Sequence, residues 1–257
     1  ILDRLKKQGT TEGKALFGVI AGPRLGGKTT LAGTLPGKTL LLQAAVLESG
    51  SESAKALAAS RNAQLDVLNF NTIEELKEIV VELKTDLVYD NVYDDGLSAI
   101  TDMLLKQPKI AQALKANVWE GYRILGDVVT EVILSLKELT YPDKAKKPKS
   151  TFLTCALRVK QEGNSVDVEL ETKGKVATTM VTKYGEAVLT VLPPIKTESG
   201  TTGHRMITKS DDIWPGRIDG LLSDQNPGTL PADLSLVLKL LIQLQMTLKL
   251  QYLFYLS

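Results

Sequence analysis

The chain has 257 residues, of which 43% are hydrophobic and 24% charged, and its net charge is +1. That is a globular composition with room for one large core, and it excludes a global basic field for nucleic acid, so any such contact needs a local patch. One cysteine, Cys155, excludes an internal disulfide and fits a reducing, cytoplasmic compartment; one histidine, His204, excludes a histidine-built metal centre.

Residues 1–14 are charged and glycine-bearing and read as a lead-in. Ala15 to Ala21 is a short apolar run bounded by glycine and charge, which predicts a buried strand. Gly22-Pro23-Arg24-Leu25-Gly26-Gly27-Lys28-Thr29 follows and matches G-x-x-x-x-G-K-[ST]. Thr29 to Leu35 predicts a first helix, ended by Pro36-Gly37. Strand, glycine loop and helix in that order suit phosphate binding. The glycines let backbone N–H groups turn inward around an anion, and the helix start adds partial positive charge. Lys28 is expected to reach the β- and γ-phosphates of ATP, and the Thr29 hydroxyl to ligate Mg²⁺. Thr30 completes the expected contact set.

Thr39 to Ala45 predicts a second buried strand, close enough behind the loop for a βαβ unit. Ser53 to Asn62 is alanine-rich and helical, and Leu65 to Leu68 is a third short strand. Asn71-Thr72-Ile73-Glu74 has capping-box spacing and opens a helix to about Lys84, with Ile73, Leu76, Val80 and Leu83 on one face. A strand is expected at Asn91 to Asp94. A carboxylate that helps organise magnesium belongs at the C-terminal end of a core strand; Asp95 is the first choice, with Asp94 or Asp90 as alternatives.

Ser98 to Lys106 predicts a helix stopped by Pro108, and Val118 to Leu139 a long amphipathic one. Trp119 and Tyr122 at its start read as packing anchors ahead of a base-stacking platform. Tyr141 to Lys149 is a basic, proline-bounded loop, read as a solvated linker ahead of a phosphate contact. Thr151 to Leu157 is a further buried strand; Thr154 near its end stands where a hydroxyl can sense the γ-phosphate, and Cys155 reads as a small buried hydrophobe. Val166 to Leu170 and Lys175 to Met180 alternate around Lys173-Gly174, which predicts a β-hairpin. Val188 to Leu192 and Arg205 to Thr208 are strands, with His204 structural or exposed. Arg217, in a turn after Trp214-Pro215-Gly216, is either a surface charge or a finger acting on a neighbouring copy. Leu234 to Leu241 is a helix. Leu244 to Tyr252 alternates strictly, and Gln243, Gln245, Lys249 and Gln251 argue against a membrane span there.

In order and spacing the chain is similar to RecA-type P-loop cores. More narrowly it resembles phage-encoded RecA-like ATPases of the Sak single-strand-annealing group. The resemblance is carried by Gly22 to Thr30, Leu40 to Ser51, Asp95-Gly96-Leu97, Trp119-Glu120-Gly121-Tyr122, the Thr154 strand, and Trp214-Pro215-Gly216-Arg217 ahead of Leu230-Pro231-Ala232-Asp233-Leu234. It covers about residues 15 to 240. It implies ATP, Mg²⁺, homo-oligomers on single-stranded DNA, a single-strand DNA-binding protein as a further partner, and a role in recombination or replication in the host cytoplasm. It also implies that Glu48, after the second strand, polarises the attacking water, although Gln43-Ala44-Ala45 departs from a more acidic run.

The expected architecture is α/β: one RecA-like domain over 15–240 with a mostly parallel central sheet, β-hairpin elaborations at about 160–210, and a tail at 241–257 as an oligomer contact. Lys28, Glu48, Asp95, Thr154 and Arg217 are the expected catalytic set, with Thr29 and Asp95 on the metal. Lys173, Lys175 and Lys183 are the expected DNA contacts. The alternative reading is a nucleotide-binding assembly protein with little or no hydrolysis. A small-molecule kinase ranks below it, because no arginine-rich lid segment follows the core.

Overall fold

The computed structural model describes residues 15–24, 26–44, 50–162, 165–171, 179, 183–194, 196–197, 200–201, 203–210, 216–219 and 227–242. The lead-in 1–14, Glu48, Lys173, Lys175, most of the expected 175–180 strand and the tail from 243 lie outside those residues.

The protein is α/β, with a mostly parallel mixed sheet between two layers of helices. Six parallel strands form its centre: β1 (Phe17–Gly22), β2 (Lys38–Ala44), β3 (Gln64–Phe70), β4 (Asn91–Asp95), β5 (Ser150–Glu162) and β7 (Ala187–Leu192). β6 (Ser165–Leu170), β10 (Arg205–Ile207), β11 (Arg217–Ile218) and β12 (Thr229–Pro231) add antiparallel pairings, and β8 (Lys196–Thr197) and β9 (Gly200–Thr201) form a separate short ribbon. The main order is β12-β10-β7-β1-β5-β4-β2-β3.

β1 and β2 are therefore not neighbours, as a simple βαβ unit would have made them: β5 and β4 stand between them. Every residue of β1, β4 and β7 is buried, as expected for strands covered on both sides, whereas β3 at the edge is largely exposed. Ile20, Leu41, Tyr93, Phe152 and Leu189 face one core, and Val19, Leu42, Val92, Leu153 and Val188 face the other.

On the second face lie α2 (Ile73–Thr85), α3 (Leu97–Lys106) and α5 (Val118–Glu138). The cap of α2 sits one residue later than its sequence spacing suggested. Thr72 Oγ1 accepts from the Glu75 N–H at 3.1 Å, and Glu75 Oε2 accepts from the Asn71 N–H at 2.8 Å. Pro108 does more than stop α3: it opens a separate helix, α4 (Pro108–Ala116), at the position where a missing N–H costs nothing. On the first face lie a 3-10 segment (Thr29–Thr34), α1 (Ser51–Ser60) and α6 over 234–242. The segment after the loop is 3-10 rather than α because Pro36-Gly37 leaves it only six residues.

The Val166–Leu170 strand also has a partner that the sequence reading did not name. β6 pairs antiparallel with the extension of β5 itself, Leu157 opposite Leu170 and Glu162 opposite Ser165. β5 runs well past the sheet edge to make this pairing, and the turn expected at Lys173-Gly174 lies outside the described residues. Two surface expectations change as well. Lys149 is fully buried, its ammonium donating to the carbonyls of Asp86 and Lys147 at 2.9 and 3.0 Å, while Lys147 pairs with Asp90 at 2.8 Å. The basic loop is thus fastened to the fold rather than a solvated linker. Trp119 is 86% exposed and Tyr122 39%, so Trp119 is no packing anchor. Lys77–Glu131 and Lys84–Glu138 pair α2 and α5 in parallel register. At 1.5 Å per residue, that register carries Trp119 about 12 Å beyond the start of α2, at the sheet end where the glycine loop lies.

Candidate phosphate-binding site

β1 brings Gly22 to the C-terminal edge of the sheet, where ligands of open α/β sheets bind. The backbone then turns: the Gly26 N–H donates to the Pro23 carbonyl at 3.1 Å, and Gly27 sits at φ +86°, which only glycine adopts without strain. Leu25 falls outside the described residues, and Arg24 is exposed at the rim. Lys28 folds back over the loop, its ammonium donating to the carbonyls of Gly22 at 3.1 Å and Pro23 at 2.9 Å. Tyr93, buried in the sheet, donates its hydroxyl to the Lys28 carbonyl at 2.5 Å. Burial, with the Asp95 charge beside it, holds that phenol well above its ordinary value, so it stays a donor.

The side chain of Thr29 meets β4. Its hydroxyl donates to Asp95 Oδ2 at 2.6 Å, and from β5 Thr154 donates to Asp95 Oδ1 at 3.0 Å. Gln43, at the end of β2, reaches the same carboxylate at 3.5 Å. Strand alternation separates the three sequence candidates. Asp95 lies on the face of Tyr93, with the loop. Asp94 is fully buried on the opposite face, and Asp90 stands at the other end of β4, receiving the Lys38 N–H and the Lys147 ammonium.

A cavity of about 630 Å³ opens here, lined by Lys28, Thr29, Asp95, Thr154 and, beyond them, Asp102 and Glu171. Its size suits a nucleotide. Thr29 and Asp95 are two hard oxygen donors in contact, the kind of partial set that Mg²⁺ takes when phosphate oxygens and water supply the rest. Among the described residues no three His, Cys, Asp or Glu side chains gather into a metal cage of their own.

The neighbouring helix closes one side. Gly50, the N-cap of α1, faces Thr29, and Thr30 and Ser53 share a hydroxyl hydrogen bond at 2.9 Å. Burial pushes the Cys155 thiol up to about 12, which makes it a packing group rather than a nucleophile. Lys183 is exposed, with its ammonium 5.6 Å from the centroid of the Tyr184 ring. Arg217 lies away from this cavity, beside Val188 of β7, where it pairs with Asp219 at 2.9 Å and donates to the Gly185 carbonyl.

Sequence reasoning gave Tyr93 and Glu171 no role, read Gln43 only as a departure from an acidic run, and did not place His204. The His204 imidazole packs directly on Gly27, so close that a β-carbon there would stand 3.1 Å from its Cε1. Alternation along β4 could have paired Tyr93 with Asp95; for His204, 177 residues from its contact, no sequence signal exists. No family model and no curated protein matches the chain. Among the described residues, no helix is long and apolar enough to cross a membrane.

Proposed function

We propose that the chain is a RecA-like P-loop ATPase that binds Mg²⁺-ATP in this cavity and acts on single-stranded DNA. The observation that carries the reading is the junction of Thr29, Asp95 and Thr154, in which the 3-10 segment and two strands meet at one carboxylate beside Lys28. The Lys28 ammonium trades its two loop carbonyls for phosphate oxygens and neutralises charge that develops as the γ-phosphoryl group leaves. Thr29 and Asp95 are the residues that would hold Mg²⁺, which supplies further neutralisation of the phosphates. Thr154 bonds to Asp95 and lies on β5, the strand that continues into the β5–β6 hairpin, a route by which phosphate state reaches that hairpin. Glu48 remains the residue that the family resemblance implies for orienting water.

Two features support single-stranded DNA as the partner. Trp119 and Tyr122 present aromatic surface at the loop end of the molecule, where bases can stack. Lys183 is exposed close to β7 and, with Lys173 and Lys175, would contribute phosphate contacts. Homo-oligomers on DNA, with Arg217 acting on a neighbour, belong to the same reading.

The test is ATP hydrolysis by the full chain with Mg²⁺, with and without single-stranded DNA. The reading expects turnover that DNA stimulates and that Lys28→Ala abolishes. Tight binding with no turnover under either condition would replace it with a nucleotide-stabilised assembly protein, and phosphate transferred to an added metabolite with a kinase.

A further inference from the structure

β4 ends at Asp95, and past the end of its pairing with β5 the backbone of Glu171 takes up the same side of β5. Thr151 donates its N–H to Leu16 on the β1 side of β5, whereas Ser150 donates to Asp90 on the β4 side. Backbone groups alternate along a strand, so those of Ala156, like those of Ser150, face the β4 side. β4 itself pairs with β5 no further than Leu153. Just beyond, the Glu171 N–H donates to the Ala156 carbonyl at 2.7 Å, and the Glu171 carbonyl accepts from Ser98 Oγ at 3.0 Å. Glu171 thus continues the line that β4 abandons, pinned through its backbone to β5 on one side and to α3 on the other.

Glu171 lines the same cavity as Lys28, Thr29, Asp95 and Thr154. The Asp95 carboxylate is already committed, one oxygen to Thr29 and the other to Thr154. Among the described residues the Glu171 carboxylate makes no hydrogen bond or ion pair.

We infer that Glu171 is a catalytic residue of the hydrolysis proposed above, the carboxylate that takes the proton from the attacking water. The inference rests on that reading. In the step, a water oxygen forms a bond to the γ-phosphorus as the bond from that phosphorus to the β–γ bridging oxygen breaks. The bridging oxygen keeps the electron pair and leaves with ADP. Glu171 accepts one water proton and releases it to solvent afterwards, and the other remains on the inorganic phosphate.

The experiment compares Glu171→Gln with the wild-type chain, using a fluorescent ATP analogue for affinity and phosphate release for turnover. Glu48→Gln and Asp102→Asn serve as parallel variants. Glu171→Gln is expected to keep its affinity within about threefold and to lose turnover by at least about 100-fold, the usual contribution of a positioned general base. In Glu171→Ala, added formate is expected to restore part of the lost turnover, which a purely structural role would not allow. Should Glu171→Gln fail to bind nucleotide, that formate rescue decides. Wild-type turnover with Glu171→Gln within threefold of it, or loss confined to Glu48→Gln or Asp102→Asn, overturns the assignment and leaves the ATPase reading standing. A wild-type chain that binds Mg²⁺-ATP and never hydrolyses it removes both.

Discussion

Thr29 and Asp95 lie 66 residues apart in sequence, and the hydroxyl of one donates to the carboxylate of the other at 2.6 Å. The contact joins the glycine loop to the end of β4, where the proposed Mg²⁺ would be held against bound phosphates. Asp95→Asn keeps the shape and removes the charge. Affinity for ATP with Mg²⁺ is expected to fall at least about tenfold, roughly 1.4 kcal/mol, while metal-free affinity changes little. Nucleotide titrations with Mg²⁺ and with EDTA check this; equal losses in both would argue that Asp95 supports the loop and not the metal.

Gly27→Ala meets two obstacles at once. Its φ of +86° is strained for alanine, and the new methyl would stand 3.1 Å from the His204 ring. A cost of about 1–3 kcal/mol in stability is expected, with weakened nucleotide binding. Adding His204→Ala should recover part of the stability by making room, which thermal melts of the single and double variants would read.

Gly33→Ala tests the contact between the 3-10 segment and α1. A β-carbon at Gly33 would collide with the Ala54 carbonyl, which is backbone and cannot swing aside. The two elements must separate, at about 1–3 kcal/mol. Urea unfolding should show a lower midpoint with an unchanged slope.

Lys149 links stability to alkaline pH. Burial holds its ammonium below the ordinary lysine value of 10.5, partly opposed by the Asp86 charge. Between that lowered value and 10.5 the unfolded chain binds the extra proton, so this residue's contribution to stability rises with pH across the window. Lys149→Met should flatten that rise. It also leaves the carbonyls of Asp86 and Lys147 without their donor, at about 1–3 kcal/mol near neutral pH.

Trp119→Ala and Lys183→Ala separate stacking from charge in the proposed DNA site. Loss of one stacking platform is expected to weaken single-stranded DNA binding by about 1–3 kcal/mol with the salt slope intact. Loss of the lysine is expected to weaken binding less and to lower the slope by about 0.7. Fluorescence anisotropy over a salt series measures both, and a Trp119→Ala chain with unaltered affinity would move the DNA elsewhere.

Local order in the sequence was enough for the glycine loop, the strand before it, the helices at 73–85 and 118–138, and a carboxylate near residue 95. Each of these depends on spacing within a few residues: a motif, a period or a cap. Which of Asp95, Asp94 and Asp90 meets the loop needed the sheet, because only the placing of β4 in it and the contact with Thr29 set the face and the end of that strand. Tertiary structure also decided that β5 and β4 separate β1 from β2, that His204 backs Gly27, and that Glu171 follows β4 along the edge of β5. Those relationships join residues tens to nearly two hundred positions apart, and hydrogen bonds between strands, unlike the periodicity within one, leave no local trace in the chain.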